Sequence, residues 1–410
     1  MFRLKRGLKL DTKKISADNP ISPALIPDEL IIPLKQHLGE ESKAAVKKGD
    51  YVKKYQLIGK ADGEFSANIH ASSSGEVIAV EKRPVIGGES TCVVIKTDKK
   101  DKAKKFKPKE NLNETVKNAG IVGMGGACFP THIKLNPSVS CDLYILNGCE
   151  CEPYLTSDLR IMLEFPKDVI SGFRELMKAA GIKHGIVGVE NEEAYENLTK
   201  ASNKYKNIEI KLLKAKYPQG AEKMLIYSLT GRKVPTGKIP ADVGVIVNNV
   251  STAWAVNLAR QGMPLTERVV TISGNVGNPK NLMVRIGTKL SDIIKKDYEK
   301  IIAGGPMMGI AVPSKEVPLT KGTSGLIMIS QLTRDYENCI RCSSCIDICP
   351  MNLMPTKLAT YSATGNYEKA NEHYVFDCFE CGCCTYVCPC HIPIVQLIKA
   401  AKAELKNANK

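Results

Sequence analysis

Ten of the fifteen cysteines lie between Cys339 and Cys390, and eight of those ten form two copies of one spacing. The copies are Cys339-x2-Cys342-x2-Cys345-x3-Cys349-Pro350 and Cys378-x2-Cys381-x2-Cys384-x3-Cys388-Pro389. Three thiolates spaced this way wrap one corner set of a cuboidal iron–sulfur cluster, while the fourth turns away and ligates the other cluster. The spacing therefore predicts one [4Fe-4S] cluster on Cys339, Cys342, Cys345 and Cys388, and a second on Cys378, Cys381, Cys384 and Cys349. Structural zinc is the competing reading, but zinc sites use two separated ligand pairs rather than this run. Cys383 and Cys390 are surplus and are expected to pack as small side chains.

A second candidate is the loop Gly120-Ile-Val-Gly123-Met-Gly125-Gly126-Ala-Cys128-Phe-Pro130, followed by Thr131-His-Ile-Lys134. Glycines let backbone N–H groups approach a phosphate, and Lys134 can add charge. The dinucleotide fingerprint wants a third glycine where Cys128 stands, so a phosphate cradle and a tight structural turn are both open readings. Three polar segments follow apolar runs: Asn147-Gly-Cys-Glu150-Cys-Glu-Pro-Tyr154, Tyr217-Pro-Gln-Gly220-Ala-Glu222-Lys223 and Val247-Asn248-Asn249-Val-Ser-Thr252. At the carboxyl ends of parallel strands such segments line a ligand crevice. Each could equally be a helix cap or an Asx turn.

The elements that must carry these groups follow from pattern. Residues 30–95 show short alternating segments with Gly-Asp and Ser-Gly turns, which predict an all-β domain. From about residue 111, apolar runs near 143–146, 185–189, 208–213 and 243–247 alternate with amphipathic stretches, the pattern of a mainly parallel sheet flanked by helices. Residues 264–330 return to short segments with Gly turns, and the chain closes with the cysteine runs and a helical tail from about 394 to 405. Between the first two blocks, residues 96–109 hold eight Lys and two Asp, which reads as a solvated linker.

Length and composition agree with several domains in one soluble chain. At 410 residues, with 43% hydrophobic and 25% charged residues, disordered and fibrous classes are excluded. The opening MFRLKRGLKLD lacks the apolar core of a secretory signal, and no run is long enough to cross a bilayer, so a cytosolic chain with reduced thiols is expected. The net charge of +15 lies wholly before residue 331, since residues 331–410 hold eight basic and eight acidic groups. It is dispersed, without a groove-reading or stacking element, so nucleic acid is not an expected partner.

The glycine loop, the Asn147–Pro153 cluster, Gly220-Ala-Glu222 and Asn248-Asn249-Val250 resemble the FMN- and NADH-binding pattern of the flavin subunit of complex I. A wider resemblance is to the RnfC family, found in the Rnf electron-transport complex. It runs from about residue 25 to 405 through Pro33-Leu-x-Gln36-His37, Gly123 to His132, Glu150-Cys-Glu-Pro-Tyr-Leu155, Tyr217 to Glu222, and Gly304-Gly-Pro-Met-Met-Gly309. The resemblance implies a multidomain α/β chain: a barrel-sandwich β domain over 1–95, the Lys-rich linker over 96–110, and an FMN/NADH-binding α/β domain over 111–263. A soluble-ligand-binding β-grasp module over 264–330 and an α-helical ferredoxin domain with two [4Fe-4S] clusters over 331–410 complete it.

The same resemblance implies that Gly123, Gly125, Gly126 and Lys134 hold cofactor phosphate, that Asn147, Glu150, Asn248, Asn249 and Thr252 contact FMN, and that Glu222 faces NAD(H). The implied activity is NADH-linked electron transfer through FMN and the two clusters, in a chain peripheral to the cytoplasmic face of a membrane through other redox subunits. A soluble paralogue serving a reductase such as proline reductase, and a non-catalytic scaffold braced by metal, are the alternatives. Two departures from the family pattern stand out. Arg6-Gly-Leu-Lys-Leu occupies the neighbourhood of an amino-terminal Gly-Gly-x-His-Pro-Pro, and Cys128 and Cys149 replace small or hydroxyl residues.

Overall fold

The computed structural model describes residues 4–330 and 335–408. Its amino-terminal β domain has two small sheets. Strands Glu29–Pro33, Gly88–Thr97, Gly75–Val85 and Tyr51–Val52 lie side by side in one, and Lys43–Ala44, Leu57–Lys60 and Ile69–His70 form the other. Leu30, Ile32, Val52, Ile58, Ile69, Val77, Val93 and Ile95 fill the space between them. The long hairpin turns through Ile86 and Gly87, and Gly87 has φ of 85°, a state that glycine adopts without strain.

The eight lysines of the Lys-rich stretch are exposed, while its backbone, Asp101 and Phe106 are held against the fold. Lys54 N donates to Lys102 O and Lys104 N to Lys54 O, while Asp101 takes an ion pair from Arg285 at 2.6 Å and another from Lys54 at 3.2 Å. Phe106 stands edge-on to His70. Alternating charge, invisible to a net count, ties this segment to two domains at once.

The α/β domain is built on four parallel strands in the order Ile208–Leu212, His184–Val189, Leu143–Gly148, Val245–Asn249. The two central ones are apolar and buried on both faces, as parallel strands covered by helices must be. Helices Pro166–Ala179 and Val250–Arg260 cross at Gly172, where a β-carbon would overlap Ala253 O. Register sets Asn249 beside Asn147 at the carboxyl edge.

Six strands make the next sheet, in the order Ile21–Pro23, Lys280–Arg285, Glu267–Gly274, Gly325–Ile329, Lys300–Ala303, Ile310–Ala311. Its first member comes from the amino-terminal segment and pairs in parallel with Lys280–Arg285. Residues 21–23 thus join the later module, although sequence order places them in the 1–95 domain. The last domain is helical, with Pro355–Ala363, Tyr367–Glu372 and Ile394–Ala408 packed around Leu358, Ala370, Val375 and Ile398.

Candidate flavin site and cysteine centres

The glycine loop rests on the carboxyl edge of the parallel sheet. Met124 N donates to Thr252 Oγ1 at 3.0 Å, and Gly123 N to Phe129 O at 2.9 Å. From the β domain, Leu38 N donates to Cys128 O, and Phe65 meets Phe129 edge-on at 6.0 Å. The three glycines differ in what surrounds them. A β-carbon on Gly125 would stand 2.6 Å from Asn249 Nδ2, whereas one on Gly126 would meet nothing within 4 Å. Gly126 therefore faces open space, and Gly125 is small because Asn249 presses on it. Cys128, a non-glycine residue with φ of 54°, closes the loop against Gly322.

Asn249 caps helix Val250–Arg260 by accepting from Ser251 N, and its Nδ2 donates to Asp158 Oδ2 at 2.7 Å. Ser251 Oγ donates to the other oxygen of Asp158. Asn147 Nδ2 donates to Gly220 O at 2.8 Å and so joins the strand-end cluster to the loop that carries Glu222. Asn248 is buried, accepting from Tyr144 Oη. The structure thus brings Gly123, Gly125, Gly126, Asn147, Asn248, Asn249 and Thr252 to one edge.

Glu150 and Lys134 lie at this edge but are occupied within the protein. Glu150 accepts from Asp158 N at 3.0 Å, Leu159 N at 3.1 Å and Ser157 Oγ at 3.1 Å, closing the start of helix Ser157–Glu164. Burial pushes its carboxyl up, against the pull of Lys14. Lys134 Nζ donates to Glu222 Oε1 and Val247 O, both at 2.9 Å. Its ammonium is paired with Glu222 rather than left free for the loop, which a sequence reading of Lys134 as a phosphate ligand does not anticipate.

Contacts between residues far apart in sequence add a residue that spacing alone does not single out. Glu152 accepts from Met307 N at 3.0 Å and Met308 N at 2.9 Å, and a β-carbon on Gly305 would overlap its carboxylate. That overlap explains the glycine in Gly304-Gly-Pro-Met-Met-Gly309. Burial raises the Glu152 carboxyl to about 7. Lys14 Nζ fixes the same loop, donating to Glu150 O at 2.6 Å and Glu152 O at 2.9 Å.

The edge is open on one side of the glycine loop. Gly126 opens onto space, and two buried polar atoms in the neighbouring loops, Gln219 Nε2 and Glu190 Oε1, have no protein partner.

The cysteine runs are a backbone repeat as well as a sequence one. Left-handed residues recur 39 positions apart as Arg341 and Glu380, Ser343 and Gly382, Asn352 and His391. Short helices Ser344–Ile348 and Cys383–Tyr386 start at matching points. Left-handed residues turn backbone N–H groups inward: Arg341 N donates to Cys339 Sγ and Glu380 N to Cys378 Sγ, each at 3.4 Å. Such N–H···S bonds suit sulfurs that carry charge toward a cluster.

Thiol neighbours group by space and not by sequence. Cys384, pushed up to about 12 by burial first, is raised further by Cys378, Cys381 and Cys349. Cys378, raised to about 11, likewise has Cys381 and Cys349 beside it. The thiols acting on Cys345, itself raised mainly by burial, are Cys342 and Cys339. The thiol whose charge acts on Cys349 is Cys381 of the second run. Cys339 and Cys342 are exposed, whereas Cys349, Cys381 and Cys384 are buried and Cys378 and Cys388 half-buried. Cys383 is buried next to Cys381, which it hydrogen-bonds, and Cys390 is buried too.

Comparison with known proteins follows this architecture segment by segment. Residues 2–100 match the RnfC barrel sandwich hybrid domain, 116–258 the Nuo51 FMN-binding domain, 269–311 the SLBB domain and 331–389 the 4Fe-4S dicluster domain. The chain is 44% identical to the C subunit of the proton-translocating ferredoxin:NAD(+) oxidoreductase complex of Clostridium ljungdahlii, over 98% of its own length and 93% of that protein. The chain belongs to the RnfC family. Identity is 40% to the C subunit of the Na(+)-translocating ferredoxin:NAD(+) oxidoreductase complex of Acetobacterium woodii, over 96% of this chain and 94% of that one. A crystal structure of an NAD+-reducing [NiFe]-hydrogenase in the H2-reduced state shares the fold, with a TM-score of 0.52 at 19% identity over 72% of this chain and 66% of that one. Membership brings the flavin and dicluster domains together in an electron-transfer subunit with FMN and [4Fe-4S] clusters as cofactors. Among the described residues no helix is long and apolar enough to cross a membrane.

Proposed function

We infer that this RnfC-family chain passes electrons between NAD(H), FMN and two [4Fe-4S] clusters as the NAD-linked subunit of an ion-translocating complex, held at the cytoplasmic face by its partner subunits. The names of the relatives support a ferredoxin-linked reaction. The observation that carries the reading is the junction of two sites: Tyr217, on the loop that leads to Glu222, donates its hydroxyl to Cys381 O at 2.6 Å. The cysteine domain is thereby seated on the carboxyl edge of the flavin sheet.

Bound FMN would supply the change from two-electron to one-electron transfer that nicotinamide and a cluster cannot make directly. Around it, Gly126 leaves room for the ring system, while Thr252 and Asn249 fix the glycine loop through Met124 N and the packing on Gly125. Cys339, Cys342, Cys345 and Cys388 are assigned to one cluster, and Cys378, Cys381, Cys384 and Cys349 to the other.

Anaerobic purification with iron, sulfide and flavin counts, followed by NADH titration, tests the reading. About eight iron and one FMN per chain are expected from two cuboidal clusters and one flavin site, with NADH bleaching the flavin bands. A colourless chain, or one holding zinc, would reject it. For membrane association, the chain should pellet with membranes only when its partners are present and should be released by high-salt or carbonate washing.

A further inference from the structure

Residues 6–8 form a strap between the flavin sheet and the cysteine domain. Leu8 N donates to Tyr217 O at 2.7 Å and Tyr217 N to Leu8 O at 2.9 Å. Gly7 N donates to Ile348 O at 3.2 Å, and Arg6 Nη1 to Ile346 O at 2.8 Å. Gly7 has φ of 106°, and a β-carbon there would overlap Tyr217 O, so the strap needs glycine at its centre.

The strap touches both halves of one candidate centre. Ile346 and Ile348 lead directly into Cys349, from the first run, while Tyr217 Oη donates to the carbonyl of Cys381, from the second. Those two cysteines share a cluster only under the crossed assignment. Leu8, Tyr217, Cys381 and Cys383 pack as one apolar cluster with Cys151, Met307 and Phe379 around it, so the junction is sheltered from water. The Arg6 guanidinium, bound to Ile346 O, is thus fixed three residues ahead of Cys349 in the chain that leads into it. Lys402 Nζ donates to Cys378 O and to Glu380 Oε1 from the far side, and Glu152 is the acidic group facing Cys381 from the flavin domain. Cys339 and Cys342 have no such cover.

We propose that Arg6 and Tyr217 are positioning residues for the cluster on Cys349, Cys378, Cys381 and Cys384, seating it against the flavin domain and favouring its reduced state over that of the other cluster. The proposal rests on the functional reading above. Reduction adds one negative charge to a cluster, and both a fixed cation and a hydrogen bond donated toward its ligands stabilise that charge; net charge and hydrogen bonding are among the main determinants of cluster potential. In a sheltered site the cation is screened less than it would be in water.

The test is a redox titration of the whole chain, purified anaerobically with both clusters, followed by electron paramagnetic resonance. Cys384→Ala and Cys342→Ala identify which signal belongs to which cluster. In Arg6→Gln the Cys384-dependent signal should move to lower potential, its reduced fraction at the wild-type midpoint falling several-fold, while the Cys342-dependent signal stays in place. Arg6→Lys should restore most of the shift, which a loss of packing alone would not allow. Tyr217→Phe, which keeps the ring, should move the same signal in the same direction. Equal shifts in both signals, a shift confined to the Cys342-dependent one, or no shift with both clusters loaded would overturn the proposal and leave the electron-transfer reading standing. A wild-type chain without cluster signals would overturn both.

Discussion

Asn249 reaches over Gly125 so closely that a β-carbon on that glycine would stand 2.6 Å from its Nδ2, and it is anchored there by Asp158 at 2.7 Å and by its own cap on Ser251 N. The side chain cannot swing away without giving up both bonds. Gly125→Ala should therefore destabilise the chain by about 1–3 kcal/mol, the usual range for overpacking, with a fall in thermal midpoint even without flavin. Gly126→Val should do the reverse: the unfolding midpoint of the flavin-free chain is unchanged, while FMN affinity falls about tenfold or more, at least ~1.4 kcal/mol. Calorimetry and flavin-fluorescence titration separate the two.

Crossed ligation is testable by pairing cysteine variants. If Cys349 ligates the cluster of Cys378, Cys381 and Cys384, then Cys349→Ala and Cys384→Ala should disturb the same resonance signal, and Cys388→Ala should pair with Cys342→Ala. The comparison requires variants that keep iron at the other site, since loss of a metal centre can unfold a small domain. Cys349→Ala matching Cys342→Ala would mean two sequential single-cluster folds.

The β domain should be acid-sensitive. Burial, helped by the charge of Lys321, lowers His70 to about 3 and His37 to about 4. The folded state holds both rings neutral, and the unfolded chain takes up protons below about pH 6.5, so their contribution is complete above that pH and declines as the pH falls toward the folded values. From pH 7 to pH 5 the loss should be about 2 kcal/mol per histidine. Denaturant titrations at the two pH values check it, and a flat profile would contradict the buried neutral state.

Gly172 should tolerate no side chain. A β-carbon would overlap the backbone of Ala253, and backbone cannot rotate aside as a side chain can. Gly172→Ala should cost about 3 kcal/mol or more by forcing helices Pro166–Ala179 and Val250–Arg260 apart. A thermal midpoint equal to wild type would show that the crossing yields.

Local spacing carried the chemistry that is local. Two cysteine runs 39 residues apart, each with its proline, specify ligands because a cluster imposes short fixed intervals on the chain that wraps it. The alternation of apolar runs and amphipathic stretches likewise specified a parallel sheet, since both its faces must be covered by helices. By the same logic Asn147, Asn248 and Asn249 belong at a carboxyl edge, directly after apolar strands.

Tertiary structure alone decided what each polar side chain does at that edge, because the deciding partners lie far along the chain. Glu150 is consumed by the start of the next helix, Lys134 is paired with Glu222 at a separation of 88 residues, and Glu152 reaches Met307 across 155. The lysines of the Lys-rich segment are solvated as their composition suggests, but a composition count cannot see that Asp101 among them is held by Lys54 and Arg285. Strand Ile21–Pro23 pairs with a module more than 250 residues later, and Arg6 to Leu8 join Tyr217 to the helix before Cys349, for the same reason. Secondary-structure period reports which face a residue shows to its own domain. Which domain then meets that face depends on how the finished domains fit together, and no local interval encodes it.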